Sequence, residues 1–238
     1  MFIIGDIAGE FGALCRLVER APEGEEIICV GDLIDRGPYS PEVVEYCIRN
    51  KFTCLKGNHE DMCVDYYEET RRYDSGMWLY NGGNKTRDAY HNRDIDPMPH
   101  VAWMKTLPPF VIRDNWFISH APIPTNMRPE QPEVLDQLMW NRELPGSIIK
   151  GHVGWRQVFG HNSHWGLKQF TFNAVEDMRF YALCIDSSQS KILTAYCTTD
   201  NKIYQEAYDP YVPAKSAIEV TLEAFDKIEE EKRNEGKR

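Results

Sequence analysis

The sequence lacks long hydrophobic runs and has few closely spaced cysteines. No apolar run approaches the roughly 20 residues of a membrane-spanning helix, and the N-terminus has neither the basic region nor the cleavage site of a signal peptide. We therefore expect a soluble, cytoplasmic protein without a membrane partner. The seven cysteines are an odd number without a C-x-x-C pair, which argues against a disulfide framework and against a zinc site built on thiolates.

Positive charge is also scarce. Lys and Arg number 27 against 37 Asp and Glu, which gives a net charge of -10. Such a field repels polyanions, so we do not expect a nucleic-acid polymer as a partner. The sequence does not indicate an oligomeric state.

The length of 238 residues suits one domain with a cap. We predict a single domain over residues 1–215, in which about 60–110 form the cap because strand and helix patterns break down there. Residues 216–238 begin amphipathic and end as a charge run, which predicts a solvated helix or tail.

Three short apolar runs near the N-terminus each end in glycine and a polar residue. They are "MFII" before Gly5-Asp6, "EIICV" before Gly31-Asp32 and "FTCL" before Lys56-Gly57-Asn58. The two stretches between them, 11–18 and 40–48, have apolar residues at helical spacing. The pattern predicts β-α-β-α-β with a mainly parallel sheet, so Asp6, Asp32 and Asn58 should converge at the strand ends.

Strand patterns return in the second half of the chain. "NWFIS" precedes His120, "RQVF" precedes Gly160-His161, and "RFYALCID" and "KILTAYC" follow, with mixed spacing that suits a second sheet. We predict a four-layer α-β-β-α sandwich of two mixed sheets, in the α+β to α/β class, with a helical cap.

The polar residues at these strand ends match the needs of a pair of metal ions. Two divalent cations about 3.5–4 Å apart need a bridging carboxylate with oxygen and imidazole ligands on each side. Asp6 can bind one metal, Asp32 can bridge, and Asn58, His120 and His161 can complete the other. The alternative is that these residues only cap turns, as Asp and Asn after Gly often do.

Five short motifs resemble those of a known family. "GDIAG", "GDLIDRG", "GNHED", "SHAP" and "FGHN" resemble, in this order, the motifs of the phosphoprotein phosphatases, a branch of the calcineurin-like metallophosphoesterases. The small size and "WNRE" at 140–143 add similarity to the bacterial and phage protein phosphatases and the symmetrical diadenosine tetraphosphatases.

The resemblance implies a ligand set for two metal ions. Asp6 and Asp32 would hold the first, while Asp32, Asn58, His120 and His161 would hold the second. It implies Mn²⁺ as the working metal, with Fe, Zn, Co, Ni and Mg as alternatives, and a bridging hydroxide as the nucleophile. His152 in "IIKGHVG" is a rival for the last position, and we prefer His161 because "QVFG" matches the family's strand better.

The resemblance also implies the remaining catalytic residues. His59 matches the general acid and Asp35 the carboxylate that orients it. Arg36 and Arg142 match the groups that bind the phosphate, together with Asn58.

Ala8 is the departure from the pattern. The family has a histidine there, a ligand of the first metal, and alanine offers no lone pair, so we expect this metal to bind more weakly and catalysis to fall. Three interpretations are open: a natural variant with water in the vacancy, a natural pseudo-phosphatase, or a deliberate replacement. We favour the third because the other expected positions are intact.

The resemblance implies a phosphomonoesterase in a bacterium or phage-infected cell that acts on phosphoserine or phosphothreonine, or on phosphotyrosine, in proteins. A first alternative is a nucleotide or dinucleoside polyphosphate hydrolase, because Trp78, Tyr80, Tyr90 and Trp103 could stack a base. Such aromatics also commonly pack a small subdomain. A second alternative is a non-catalytic module that binds a phosphorylated ligand or a nucleotide.

Overall fold

The computed structural model describes residues 1–74, 76–124, 131–143, 156–173 and 179–208. His152 and the predicted C-terminal helix or tail lie outside these residues. The strands are β1 (Phe2–Ile4), β2 (Ile27–Cys29), β3 (Thr53–Cys54), β4 (Phe110–Arg113), β5 (Trp116–Ser119), β6 (Arg156–Phe159), β7 (Lys168–Asn173), β8 (Arg179–Cys184), β9 (Ile192–Cys197) and β10 (Lys202–Ala207). The helices are α1 (Phe11–Glu19), α2 (Ser40–Arg49), α3 (Asn58–Glu68), α4 (Asn84–Asn92), α5 (Met98–Lys105) and α6 (Val134–Trp140).

The first sheet has the order β10-β9-β1-β2-β3. Its β1, β2 and β3 are parallel and are joined through α1 and α2, as the alternating pattern predicts. β9 and β10 extend the other edge as an antiparallel pair. The parallel strands therefore end together, and Gly5-Asp6, Gly31-Asp32 and Gly57-Asn58 lie at one edge.

The second sheet has the order β4-β5-β6-β8-β7. Three of its strands, β5, β6 and β8, are parallel, so His120 and His161 follow neighbouring strand ends. The prediction for "KILTAYC" was wrong in one respect, because β9 pairs with β1 in the first sheet. Side-chain alternation marks a strand but does not encode which edge it pairs with.

The two sheets stack face to face, with helices outside both. Ile3, Ile28 and Leu55 of the first sheet pack against Ile118 and Val158 of the second. The outer face of the first sheet packs against the helices of the N-terminal half, and α6 covers the second sheet through Val134 and Leu138. This is the predicted α-β-β-α order of layers.

The predicted cap region contains α3, α4 and α5. Trp78 and Tyr90 are buried in it, and Trp78 packs against Tyr66 and Tyr67. Tyr80, by contrast, is 92% exposed. Most of these aromatics therefore pack the subdomain. No helix among the described residues has the length and hydrophobicity needed to cross a bilayer.

Candidate metallophosphatase active site

The five predicted metal ligands lie together where the strands of both sheets end. Asp6, Asp32 and Asn58 come from the first sheet, and His120 and His161 come from the second. All five are at most 4% exposed. Buried polar groups are costly without partners, so the contacts among them decide what this site can hold.

Three ligand-type atoms lie close to Nε2 of His120. Its Nε2 lies 3.0 Å from Asn58 Oδ1, 3.1 Å from His161 Nδ1 and 3.3 Å from Asp32 Oδ1. The ligand atoms of Asp32, His120 and His161 all lie within 4.8 Å of one another. Asp6 lies next to this cluster. Both its carboxylate oxygens accept the backbone N–H of His161, at 3.2 and 3.3 Å.

Burial disfavours the charged form of both imidazoles. His120 Nδ1 donates to the carbonyl of Val30 at 3.1 Å, which leaves its Nε2 as an acceptor. Burial lowers the pKa of His120, and burial followed by the proximity of His120 lowers the pKa of His161 to about 2. Burial raises the pKa of Asp32, but His120, His59 and Arg36 outweigh it and hold this pKa well below its ordinary value.

This donor set fits a divalent cation. Lone pairs of a carboxylate, an amide oxygen and two neutral imidazoles face one another at short range, an arrangement that repels itself unless a cation lies between them. His161 Nε2 is also buried without a hydrogen-bond partner among the described residues. Nitrogen and oxygen ligands of this kind suit first-row divalent metals.

The carboxylate of Asp6 is confined by its neighbours. A Cβ on Gly160 would lie 2.0 Å from Asp6 Oδ1, so only glycine leaves room for this side chain. Burial raises the pKa of Asp6, and the negative charges of Asp186 and Asp32 raise it further. Asp186, only 1% exposed, was absent from the predicted ligand set. The cluster thus carries excess negative charge, which a cation would neutralise.

Ala8 lies next to the backbone of Asp32. It is 2% exposed, and its backbone N–H donates to the carbonyl of Asp32 at 2.8 Å, while its own carbonyl accepts from Gly37 at 2.9 Å. Its backbone is left-handed, with φ of 51°. Ala8 is therefore buried next to Asp32, and its methyl group offers no atom that could ligate a metal.

His59 is held between two carboxylates and a guanidinium. Its Nδ1 lies 2.5 Å from Asp35 Oδ2, and its Nε2 lies 2.7 Å from Arg36 Nη2 and 3.6 Å from Asp32 Oδ2. Burial lowers the pKa of His59, but Asp32 and Asp35 outweigh it and raise this pKa above its ordinary value. The ring is thus oriented by Asp35 and favoured in its protonated form.

Asp35 is fixed by residues that sequence reasoning missed. Thr86 Oγ1 donates to Asp35 Oδ1 at 2.6 Å, and Trp78 Nε1 donates to Asp35 Oδ2 at 2.9 Å. Both come from the predicted cap region, and Gly82 there accepts the backbone N–H of Arg36 at 3.3 Å. No local pattern in the sequence marks these contacts, because they join segments about 45 residues apart.

Glu60 is a second support that sequence reasoning missed. Its carboxylate accepts the backbone N–H groups of Asp32 at 2.9 Å, Leu33 at 2.8 Å and Gly57 at 2.8 Å. Burial and then Asp32 raise its pKa to about 7. Its place three residues after Gly57 is the spacing of a capping box, a signal that could have identified it. Glu60 therefore ties together the turns that carry Asp32 and Asn58.

The two arginines differ in their contacts. Arg36 reaches His59, whereas Arg142 Nη1 donates to the backbone carbonyl of His161 at 3.2 Å. Lys56, which precedes the "GNHED" motif, donates to the carbonyl of Lys105 at 2.9 Å. Both arginines thus lie at the metal-ligand cluster, and their roles toward a phosphate stay predictions.

Several residues of this site have left-handed backbone conformations. Asp32, Asp35, Arg36 and His161 have φ of 49°, 75°, 61° and 63°, in the left-handed region that non-glycine residues rarely adopt. Each such residue costs on the order of 1–3 kcal/mol, so their grouping at one edge is typical of a functional site.

Comparisons with known proteins agree with this geometry. The family model described as calcineurin-like phosphoesterase matches residues 1–185. "Serine/threonine-protein phosphatase 2" of Escherichia coli (strain K12) is 30% identical over 174 residues, which cover 68% of this chain and 78% of the relative. "Serine/threonine-protein phosphatase 1" of Salmonella typhimurium is 31% identical over 153 residues, or 60% of this chain and 68% of the relative.

Similarity extends to the dinucleoside polyphosphate hydrolases. A symmetrical bis(5'-nucleosyl)-tetraphosphatase of Paracidovorax citrulli is 40% identical, but over only 65 residues, or 25% of this chain and 23% of the relative. A solved structure described as a candidate diadenosine tetraphosphatase superposes with a TM-score of 0.62 at 20% identity, covering 88% of this chain and 94% of that one. At that identity the superposition shows the fold alone.

Proposed function

The chain belongs to the calcineurin-like phosphoesterase family, and we propose that it hydrolyses phosphate monoesters on protein serine and threonine, at a rate lowered by Ala8. One observation carries this proposal. The cluster of Asp32, Asn58, His120 and His161 lies directly beside the hydrogen-bonded pair of His59 and Asp35. This arrangement supplies metal ligands and a proton donor within a few ångströms of each other. The bacterial relatives named as serine/threonine phosphatases support this substrate class.

The residues present would provide unequal numbers of ligands for two metal ions. Asp32, Asn58, His120 and His161 would hold one with four ligands, while Asp6 and Asp32 would hold the other without an imidazole from position 8. Divalent ions bound there would neutralise phosphoryl oxygens and lower the pKa of a water molecule to near neutrality. We propose Mn²⁺ as this metal, a choice that the mixed nitrogen and oxygen ligands permit.

His59 would donate the proton that the leaving oxygen needs. Asp35 fixes Nδ1, so Nε2 is the nitrogen from which a proton can leave. Asp32 and Asp35 raise the pKa of His59 above its ordinary value, which favours the form that can donate. Arg36 lies beside this nitrogen and would bind the phosphoryl group, with Arg142 on the His161 side.

The test restores the missing imidazole. We expect the Ala8→His protein with Mn²⁺ to release phosphate from para-nitrophenyl phosphate and from a phosphoserine peptide faster than the parent chain does. Both proteins are compared at equal metal loading, measured by elemental analysis. An Ala8→His protein that loads metal but gains no activity would defeat the proposed role of position 8.

The same assay identifies the substrate class, by comparing turnover of different phosphorylated compounds. Turnover of the phosphopeptide supports the protein phosphatase, whereas turnover confined to diadenosine tetraphosphate supports a dinucleoside polyphosphate hydrolase, which the short similarity to the tetraphosphatases favours. Binding of these compounds without turnover by either protein supports a phospho-ligand binding module. We also propose a cytoplasmic location in a bacterium or a phage-infected cell.

A further inference from the structure

A second cluster of metal-binding side chains lies beneath the active site. Cys29 ends β2, Cys54 ends β3 and stands opposite Cys29 in the strand register, and Cys47 lies in α2. Their three sulfur atoms all lie within 4.8 Å of one another. The cysteine spacing gave no sign of this, because the fold brings the thiols together from three separate elements.

The surroundings of this cysteine triad are apolar. Cys29 and Cys47 are 0% exposed and Cys54 is 4% exposed, within the core that joins the first sheet to its helices. Among the described residues, no fourth histidine, cysteine or carboxylate joins this group. The charges that raise the pKa of Cys47 are those of Cys29 and then Glu60, and both are negative. An occupant must therefore accept three sulfur ligands and leave little net charge.

The net charge of the complex with three thiolates distinguishes the possible occupants. Three thiolates around Zn²⁺ carry one negative charge, and around Cu⁺ they carry two. Burying such charges beside Glu60 without a cationic partner is costly. A trivalent element bonded to three thiolates is neutral, and its pyramidal geometry needs no fourth ligand.

We propose that Cys29, Cys47 and Cys54 form a covalent binding site for trivalent arsenic or antimony. Arsenite enters as neutral As(OH)₃ and reacts with three thiols to give As(SR)₃ and three waters. Three As–O bonds break, three As–S bonds form, and each thiol proton leaves with a hydroxide as water. Arsenic stays trivalent, so no oxidant or reductant takes part.

The hydrogen bonds within the triad favour the first step. Cys29 accepts from the other two thiols, which lowers the pKa of Cys29 and raises the pKa values of Cys47 and Cys54. The thiolate is the nucleophile in such reactions, and the three sulfur atoms lie close enough for one thiol to donate to the sulfur that attacks. The product would tie β2, β3 and α2 together, directly before the turns that carry Asp32 and Asn58.

The test uses sodium arsenite with the full chain, under anaerobic conditions and with a phosphine reductant that does not compete as a thiol. We expect native mass spectrometry to show one arsenic per chain with loss of three hydrogens. Arsenic X-ray absorption should show three sulfur neighbours and no oxygen. The melting temperature should rise, because the triad is assembled only in the folded state.

Variants decide whether the triad is the site. Cys47→Ala should lose the three-sulfur species, whereas Cys63→Ala, which removes a buried cysteine outside the triad, should keep it. Cys47→Val serves as a second, somewhat larger apolar variant, and each variant is checked for a cooperative thermal transition. Arsenic bound through fewer than three sulfurs, no binding by the folded chain, or an undiminished three-sulfur species in both Cys47 variants would overturn the proposal.

Discussion

Glu60 offers the sharpest test of how the fold supports the site. One carboxylate oxygen accepts the backbone N–H groups of Asp32 and Gly57, and the other accepts that of Leu33. In Glu60→Gln one of these oxygens becomes an NH₂ group. If the remaining oxygen keeps its bonds to Asp32 and Gly57, the new NH₂ group faces the backbone N–H of Leu33. That N–H is then buried without an acceptor.

The cost follows from these three bonds. A buried donor left unpaired costs about 1–3 kcal/mol, and above the Glu60 pKa of about 7 the other two bonds also weaken because they lose a charged acceptor. We expect Glu60→Gln to lower the free energy of unfolding by about 2–4 kcal/mol at a pH of about 8.5, where Glu60 is ionised. Because the turn that carries Asp32 loses an anchor, Mn²⁺ affinity should fall as well.

Urea unfolding of the metal-free protein measures the first effect, and calorimetric titration with Mn²⁺ measures the second. Glu68→Gln is the matched control, because Glu68 lies on the same helix but only pairs with Lys105 at the surface, at 2.8 Å. That change should cost less than about 1 kcal/mol. Equal losses from the two substitutions, or unchanged Mn²⁺ affinity in Glu60→Gln, would refute the reasoning.

Three further substitutions probe other parts of the account. Burial raises the pKa of Asp65, but hydrogen bonds to the following turn outweigh burial and lower this pKa. The stability that Asp65 contributes is therefore fully present above the ordinary pKa and is lost as the pH falls through the pKa of the folded state. Asp65→Asn should therefore lower the unfolding free energy by about 1–2 kcal/mol at pH 7 and by progressively less as the pH falls below the ordinary value of 3.8, in urea titrations; a loss that does not change with pH would contradict this. In Gly160→Ala the new Cβ would lie 2.0 Å from a carboxylate oxygen of Asp6, so calorimetry should show weaker Mn²⁺ binding, and unchanged binding would mean that this carboxylate does not ligate metal. In the Ala8→His protein, His59→Asn should lower kcat roughly 10²–10⁴-fold while Mn²⁺ affinity is kept, and a smaller loss would argue against a general acid.

The sequence predicted the strand ends that build the site. Short apolar runs that end in glycine and a polar residue placed Asp6, Asp32 and Asn58 at one edge, and the structure has them there. These features are local, since each depends on one strand and the turn after it. The same holds for α1 and α2, whose apolar spacing predicted them within about two residues.

The parts that were missed depend on contacts across the chain. The pairing of β9 with β1, the thiols of the cysteine triad and the bonds from Thr86 and Trp78 to Asp35 join distant segments. Side-chain pattern reports whether a residue is buried but not what it meets, so such contacts need the fold. Glu60 is intermediate, because its capping-box spacing was visible but its reach to Asp32 and Leu33 was not.

The central claim is that side chains from both sheets bind a metal ion together. A crystal grown with Mn²⁺, measured at the manganese absorption edge, tests it most directly. The account predicts an anomalous peak in contact with Asp32, Asn58, His120 and His161, with any weaker second peak beside Asp6. A well-ordered site without manganese at those four side chains, in a crystal where manganese binds elsewhere, would contradict it.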